Sequence, residues 1–251
     1  MNLLRTFLHA YLYLPYGFRR LTGTGAFGRN RAEYLDRVRP PQGNSLKKAL
    51  WQHYVSQFHE AACSVATVVT VINAIRQWRN DAFTPINQLE ILETVRTANW
   101  KERMSTGGHN GRRGLPLPVL GAVVQSSLDA YNLPYAVVET IQARKQARLS
   151  RKIRAMLYQR LLAFEKKETG LLIAHFDQGA FVPTLNIPHI SPVGGFDPAT
   201  GHVTILDVDP SQPGPYKISF ATFYKGLSSN YHNIFKSFGY GRGGCIFIGL
   251  L

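Results

Sequence analysis

The stretch His189–Pro210, HISPVGGFDPATGHVTILDVDP, decides how this chain has to be built. Two apolar runs flank Phe196–His202, where Asp197-Pro198 and Gly201 signal a tight connection, so the runs read as paired strands of an antiparallel hairpin. One strand opens at His189 and the other runs out at Asp207. In an antiparallel pair the far ends meet, so the hairpin brings an imidazole beside a carboxylate. A general base and the group that orients it need that placement, and an ordinary hairpin would also produce it.

Working outward, PYAVVETI, GLLIAHF and GCIFIGL are further apolar runs of strand length bounded by turn residues. The region before them is helical in pattern. Cys63–Trp78, CSVATVVTVINAIRQW, places Val65, Val69, Ile72 and Ile75 at helical spacing, and its many β-branched residues predict a helix buried on most sides. Amphipathic helices are also expected over 85–98, 115–132 and 142–167, the last with Ile153, Leu157 and Leu161 on one face. Helices first and strands afterwards predict an α+β domain with an antiparallel sheet. With 251 residues, 45% of them apolar, the chain has enough material for a real core.

Charge is lopsided: 29 Lys plus Arg against 15 Asp plus Glu give a net charge of +14, which favours anionic partners. Residues 142–167 hold nine Lys or Arg and one Glu, a pattern of a solvated helix face or of an anion-facing surface. Residues 1–44 read as a basic extension punctuated by glycine and proline, leading into a compact domain over residues 45–251. The opening run MNLLRTFLHAYLYLPYGFRR lacks a small-x-small cleavage site and is too short and polar to span a bilayer. Its neighbouring aromatic and arginine residues suit either a packed helix or contact with a membrane surface. Two cysteines make no disulfide framework, so a reducing, cytoplasmic setting is expected, membrane-peripheral if that contact forms. Eight histidines and two cysteines show no zinc-ligand spacing, and no metal site or required cofactor is expected.

Cys63 is the leading nucleophile because it opens a helix, where the positive end of the helix dipole favours a thiolate; the plainer alternative is a buried structural thiol. Cys245, inside GCIFIGL, reads as structural. A nucleophilic thiol needs an oriented base and donors for the oxyanion formed in acyl transfer. Gln57, six residues before Cys63, can bring its amide to the thiol, and the Cys63 N–H is a second donor. His189 and Asp207 supply base and orienter; Asp209 lies on the same strand face, but Asp207 is nearer the ladder. GGHNGRRG lacks the ending of a phosphate-binding loop, so it reads as a plain loop or as one whose Arg112 and Arg113 clamp a substrate carboxylate.

SQFHEAACSVATVVTVINAI followed by HISPVGGFDPATGHVTILDV resembles the catalytic domain of phytochelatin synthases, papain-like cysteine enzymes that act as γ-glutamylcysteine transferases. The resemblance implies a papain-like α+β fold and gives Gln57, Cys63, His189 and Asp207 the roles of oxyanion donor, nucleophile, base and orienter. Three departures stand out. Ala62-Cys63-Ser64 replaces the family's Tyr-Cys-Gly, Pro210 stands where plant members carry an arginine, and their cysteine-rich C-terminal half is missing. The expected reaction is cleavage of the Cys-Gly bond of glutathione, mainly by hydrolysis, with transpeptidation to phytochelatin as the competing outcome. Activation by heavy-metal ions or metal-thiolate substrate goes with the resemblance. Two alternatives stay open: a cysteine peptidase of longer peptides, such as double-glycine leaders, and a non-catalytic basic protein that binds membrane or, less favoured, nucleic acid through residues 1–39 and 142–167.

Overall fold

The hairpin forms as its turn chemistry dictates. In the computed structural model, Asp197 accepts hydrogen bonds from the Ala199 amide (2.9 Å) and the Thr200 hydroxyl (2.7 Å), and Gly201 takes the left-handed φ of 68° that closes the turn. The structure describes residues 30–35, 44–105, 107–184, 186–229, 231, 235 and 239–251, with single positions 7, 10, 11, 14, 18 and 21. Chain order is β1 (Glu33–Tyr34), α1 (Ser45–Gln52), α2 (Cys63–Trp78), α3 (Gln88–Thr94), α4 (Trp100–Arg103), α5 (Leu117–Ala130) and β2 (Tyr135–Gln142). There follow α6 (Ala147–Leu162), β3 (Gly170–Asp177), β4 (Pro188–Asp197), β5 (His202–Ile205), β6 (Tyr216–Ser219), α7 (Phe220–Ser228) and β7 (Gly244–Leu250).

The strands make one sheet in the order β1-β6-β5-β4-β3-β7-β2, with every neighbouring pair antiparallel. Mixed helix and antiparallel sheet is the α+β class the order of patterns predicts. Helix α2 is buried without a break from Cys63 to Ile75, which explains why poor helix formers such as Val and Ile dominate it: packing, not propensity, holds it. It is pinned to β4 by the Thr67 hydroxyl donating to the Ile190 carbonyl at 3.0 Å. Helix α1 docks on the same strand where the β4–β5 register slips, between Val193 and Gly195. There the Trp51 indole N–H donates to the Gly194 carbonyl at 2.8 Å, and a Cβ on Gly194 would lie 2.6 Å from the Leu206 side chain. Gly194 is therefore a packing requirement inside the strand.

Several boundaries differ from the sequence expectation. The run 202–208 leaves the ladder at Ile205, because the Val208 amide turns to the Ser191 hydroxyl. The helix expected from 142 starts at Ala147, since Gln142 is still paired with Gly244 in the sheet. The helix expected over 85–98 is capped by Asn87 and stops at Thr94, ahead of a short turn in which Ala98 and Asn99 have positive φ. Strand β2 precedes α6, and α7 sits between β6 and β7, so helices and strands interleave in the second half. Within the extension, Glu33 and Tyr34 pair with Lys217 and Tyr216 and add the edge strand. No helix among the described residues is long and apolar enough to cross a membrane.

Candidate active site

Cys63 is the first residue of α2, 9% exposed, and Ala62 before it offers no side-chain cap. The Val65 and Ala66 amides turn back to the Ala62 carbonyl at 3.0 and 3.1 Å, which leaves the Cys63 and Ser64 amides as the donors at the thiol end of the helix. The loop ahead of it is tied to the end of the hairpin: the Gln57 amide donates to the Val208 carbonyl at 2.8 Å, next to Asp207. Gln57 Oε1 is buried and unpaired, so the fold makes no structural use of that oxygen.

Asp207 is fully buried, a costly position for a carboxylate unless donors surround it. They do. Oδ1 faces His189 Nε2 at 2.7 Å and accepts the Asp209 amide at 3.0 Å, while Oδ2 accepts the Tyr216 hydroxyl at 2.7 Å and, more weakly, Gln178 Nε2 at 3.5 Å. The Tyr54 hydroxyl donates to the Asp207 backbone carbonyl. Tyr216, Gln178 and Tyr54 escaped the sequence reading. Only the alternation of apolar and polar residues in YKIS, a short strand, could have flagged Tyr216.

His189 is buried, with its ring edge-on to Phe176 at 5.4 Å. Burial opposes a charge on this ring, but the charge and hydrogen bond of Asp207, together with the nearby Cys63 thiol, outweigh it and push the pKa up to about 10. Since Nε2 is spent on Asp207, Nδ1 is the nitrogen left for the thiol. Asp209, the competing orienter, faces elsewhere: it accepts from Gln178 Nε2 at 2.8 Å and from the Ser211 amide at 2.9 Å. Burial would raise the Asp209 pKa, yet these donors hold it below the ordinary value.

Of the two candidate clamp residues, Arg113 pairs with Glu60, three residues before the thiol, at 2.9 Å. Arg112 is exposed on a turn whose backbone pairs it with His109. The Ser64 departure has a local use, because its hydroxyl accepts the Trp100 indole N–H at 3.0 Å. Cys245 is fully buried in β7, which pushes its thiol pKa well up. Both cysteines are free thiols. Beside the site, on β3, buried His175 lies between the Tyr231 hydroxyl (2.6 Å from Nδ1) and the Leu115 carbonyl (3.1 Å from Nε2). A carbonyl only accepts, so Nε2 carries the proton and Tyr231 donates to Nδ1. Burial raises the pKa of both Tyr231 and Tyr240, and for Tyr231 the Asp177 charge adds to the rise.

Among the described residues no group of three or more His, Cys, Asp or Glu is arranged to hold a metal ion. No curated protein matches the chain. The family model described as phytochelatin synthase matches residues 42–240. That span is most of the 251 residues and includes Gln57, Cys63, His189 and Asp207, and the chain therefore belongs to the phytochelatin synthase family.

Proposed function

We propose that this protein is a papain-like thiol acyl-transfer enzyme that cleaves the Cys-Gly bond of glutathione. Membership of the family implies γ-glutamylcysteinyl transfer from that substrate. The observation that carries the mechanism is a histidine held at one nitrogen, 2.7 Å from a fully buried carboxylate, with a helix-initial thiol acting on the same ring. Cys63 Sγ attacks the Cys-Gly carbonyl, and Gln57 Nε2 and the Cys63 N–H receive the oxyanion. His189, a proton carrier up to about pH 10 in the resting protein, gives that proton to the departing glycine nitrogen as the C–N bond breaks. The remaining thioester joins γ-glutamylcysteine to Cys63. Water, or the amino group of a second glutathione, then attacks its carbonyl while His189 takes the attacker's proton, and the C–S bond breaks to release the acyl product and the Cys63 thiolate.

Hydrolysis is the favoured fate of the thioester. Holding an acceptor peptide takes positioned cations, and Pro210, where plant relatives carry an arginine, has neither charge nor a backbone donor. Arg113 is engaged with Glu60, which leaves exposed Arg112 as the freer clamp. No cofactor takes part in these steps, and we place the enzyme in a reducing compartment such as the cytoplasm, where both thiols stay free. Incubation with millimolar glutathione should give γ-glutamylcysteine and glycine by mass spectrometry. A mixture dominated by (γ-Glu-Cys)n-Gly would replace hydrolysis with transpeptidation, and glutathione left intact beside cleaved longer peptides would reassign the substrate.

A further inference from the structure

The buried carboxylate of Asp207 is held by side chains that are themselves held, and one support comes from ahead of residues 42–240, the span matched by the family model. Residues 31–35 run along the edge of the sheet. The Arg31 amide donates to the Phe181 carbonyl at 3.0 Å, Glu33 and Tyr34 pair with Lys217 and Tyr216, and the Leu35 amide donates to the Pro215 carbonyl at 2.7 Å. Such backbone bonds hold an edge strand of almost any sequence, so they do not account for a tyrosine at position 34.

The Tyr34 side chain has two partners, and both lead to the carboxylates. Its ring stands edge-on to the Tyr216 ring at 5.8 Å, and the Tyr216 hydroxyl donates to Asp207 Oδ2 at 2.7 Å. Its own hydroxyl donates to Gln212 Oε1 at 2.9 Å, which turns Gln212 Nε2 toward Asp209 Oδ2 at 3.5 Å. The reverse setting of that amide would put its oxygen against a carboxylate. Asp209 Oδ2 also accepts from Gln178 Nε2 at 2.8 Å, and the same nitrogen reaches Asp207 Oδ2 at 3.5 Å. Asp207 and Asp209 thus share one buried amide, and each is braced by a second side chain that touches Tyr34. Burial raises the Tyr34 pKa, and the Asp207 and Asp209 charges add to the rise, which keeps the phenol a neutral donor.

On the basis of the site proposed above, we propose that Tyr34 is a positioning residue for the His189–Asp207 pair, bracing Tyr216 and Gln212 so that the Asp207 carboxylate keeps its place on the imidazole. It acts through those two side chains. Tyr216 is fully buried beneath the edge strand, and loss of the Tyr34 ring would admit water beside its hydroxyl. Higher local polarity weakens the attraction between the Asp207 carboxylate and the imidazolium. The rival role is packing alone, in which the tyrosine closes the sheet edge and leaves the imidazole unaffected.

The test compares full-length Tyr34→Ala, Tyr34→Phe and Gln212→Ala with Glu33→Ala, a control on the same strand whose exposed side chain lies 4.0 Å from His202. Two readouts are taken: NMR titration of the His189 ring, which needs no substrate, and kcat and KM with glutathione. Tyr34→Ala should lower the His189 pKa and cut kcat about tenfold with KM unchanged, and Tyr34→Phe and Gln212→Ala should each cut kcat about threefold. Glu33→Ala should match the parent in both readouts. The role is overturned if Tyr34→Ala, or Tyr34→Phe and Gln212→Ala where the alanine variant unfolds, keep the parent's His189 pKa and kcat. It is equally overturned if only KM or the melting temperature changes, or if Glu33→Ala lowers the pKa as far. Should the parent leave glutathione intact while Tyr34→Ala still lowers the His189 pKa, the substrate proposed above fails and the role of Tyr34 stands.

Discussion

Two buried histidines sit on neighbouring strands, His175 on β3 and His189 on β4, and they hold protons in opposite ways. His175 is pulled down to about 4: burial dominates, the Leu115 carbonyl offsets only part of it, and the charge on His189 pushes further in the same direction. His189 is pushed up to about 10, because Asp207 and Cys63 more than repay the same burial. Equal desolvation therefore does not set the chemistry; the partner does. A carbonyl and a tyrosine hydroxyl leave a neutral, fixed ring that packs, whereas a buried carboxylate makes a proton carrier. That contrast separates a histidine that packs from the one we propose as the base, within a single sheet.

The harshest way to break the contrast is Asp207→Asn, which should leave His189 in an environment like that of His175. The kcat with glutathione should fall on the order of 10³- to 10⁴-fold, and NMR titration of the ring should show its pKa dropping. Activity near the parent level would remove Asp207 as the orienter, and if Asp209→Asn proves worse, Asp209 takes that role. Gln57→Ala should follow with a loss of about 10²- to 10³-fold in kcat and little change in KM, because the lost donor acts in the transition state. A change confined to KM would make Gln57 a binding residue.

The pH dependence of stability sharpens the comparison, since the two rings act in different windows. His189, raised above its unfolded value of about 6.5, contributes stability that is fully present below that pH and is lost as pH climbs through about 10. His175, lowered, contributes stability present above about 6.5 and lost as pH falls through about 4. Denaturant unfolding should show Asp207→Asn flattening the alkaline decline and His175→Gln flattening the acid decline. Exchange of those two effects would refute the assignment of the rings. Tyr216→Phe should be the mildest, costing about 1–3 kcal/mol of stability and a small part of kcat, since Asp207 keeps its other donors. An alkaline shift in the pH profile of kcat/KM beyond the parent's would show that Tyr216 does not support the charge on Asp207.

How much of this was legible in the sequence varies with the range of the interaction. The hairpin and α2 were readable because turn residues and apolar periodicity are local, and the His189–Asp207 meeting follows from antiparallel geometry once the hairpin is granted. Helices α1 and α7 and strands β1 and β6 were missed, being short segments whose place is fixed by partners far away in the chain, such as Trp51 on Gly194 and Tyr34 on Tyr216. The donors around Asp207 were invisible for the same reason: Tyr54 and Gln178 come from loops that only the folded sheet assembles. His175 reads as a satisfied core or surface histidine because only His189 has a hairpin partner in Asp207, and its two hydrogen bonds in the core agree. Residues 36–43, where the basic extension meets the domain, lie outside the described residues.

The most direct measurement is intact-mass analysis of the parent and Cys63→Ser proteins during turnover of glutathione, with iodoacetamide mapping of both thiols on a separate sample. Cys63, 9% exposed at the start of its helix, should alkylate while fully buried Cys245 stays protected in the native fold. The parent should then accumulate one γ-glutamylcysteinyl adduct on Cys63 as glycine is released, and Cys63→Ser should show neither adduct nor glycine. Glycine released by Cys63→Ser at the parent rate, or an adduct carried on Cys245, would contradict the account.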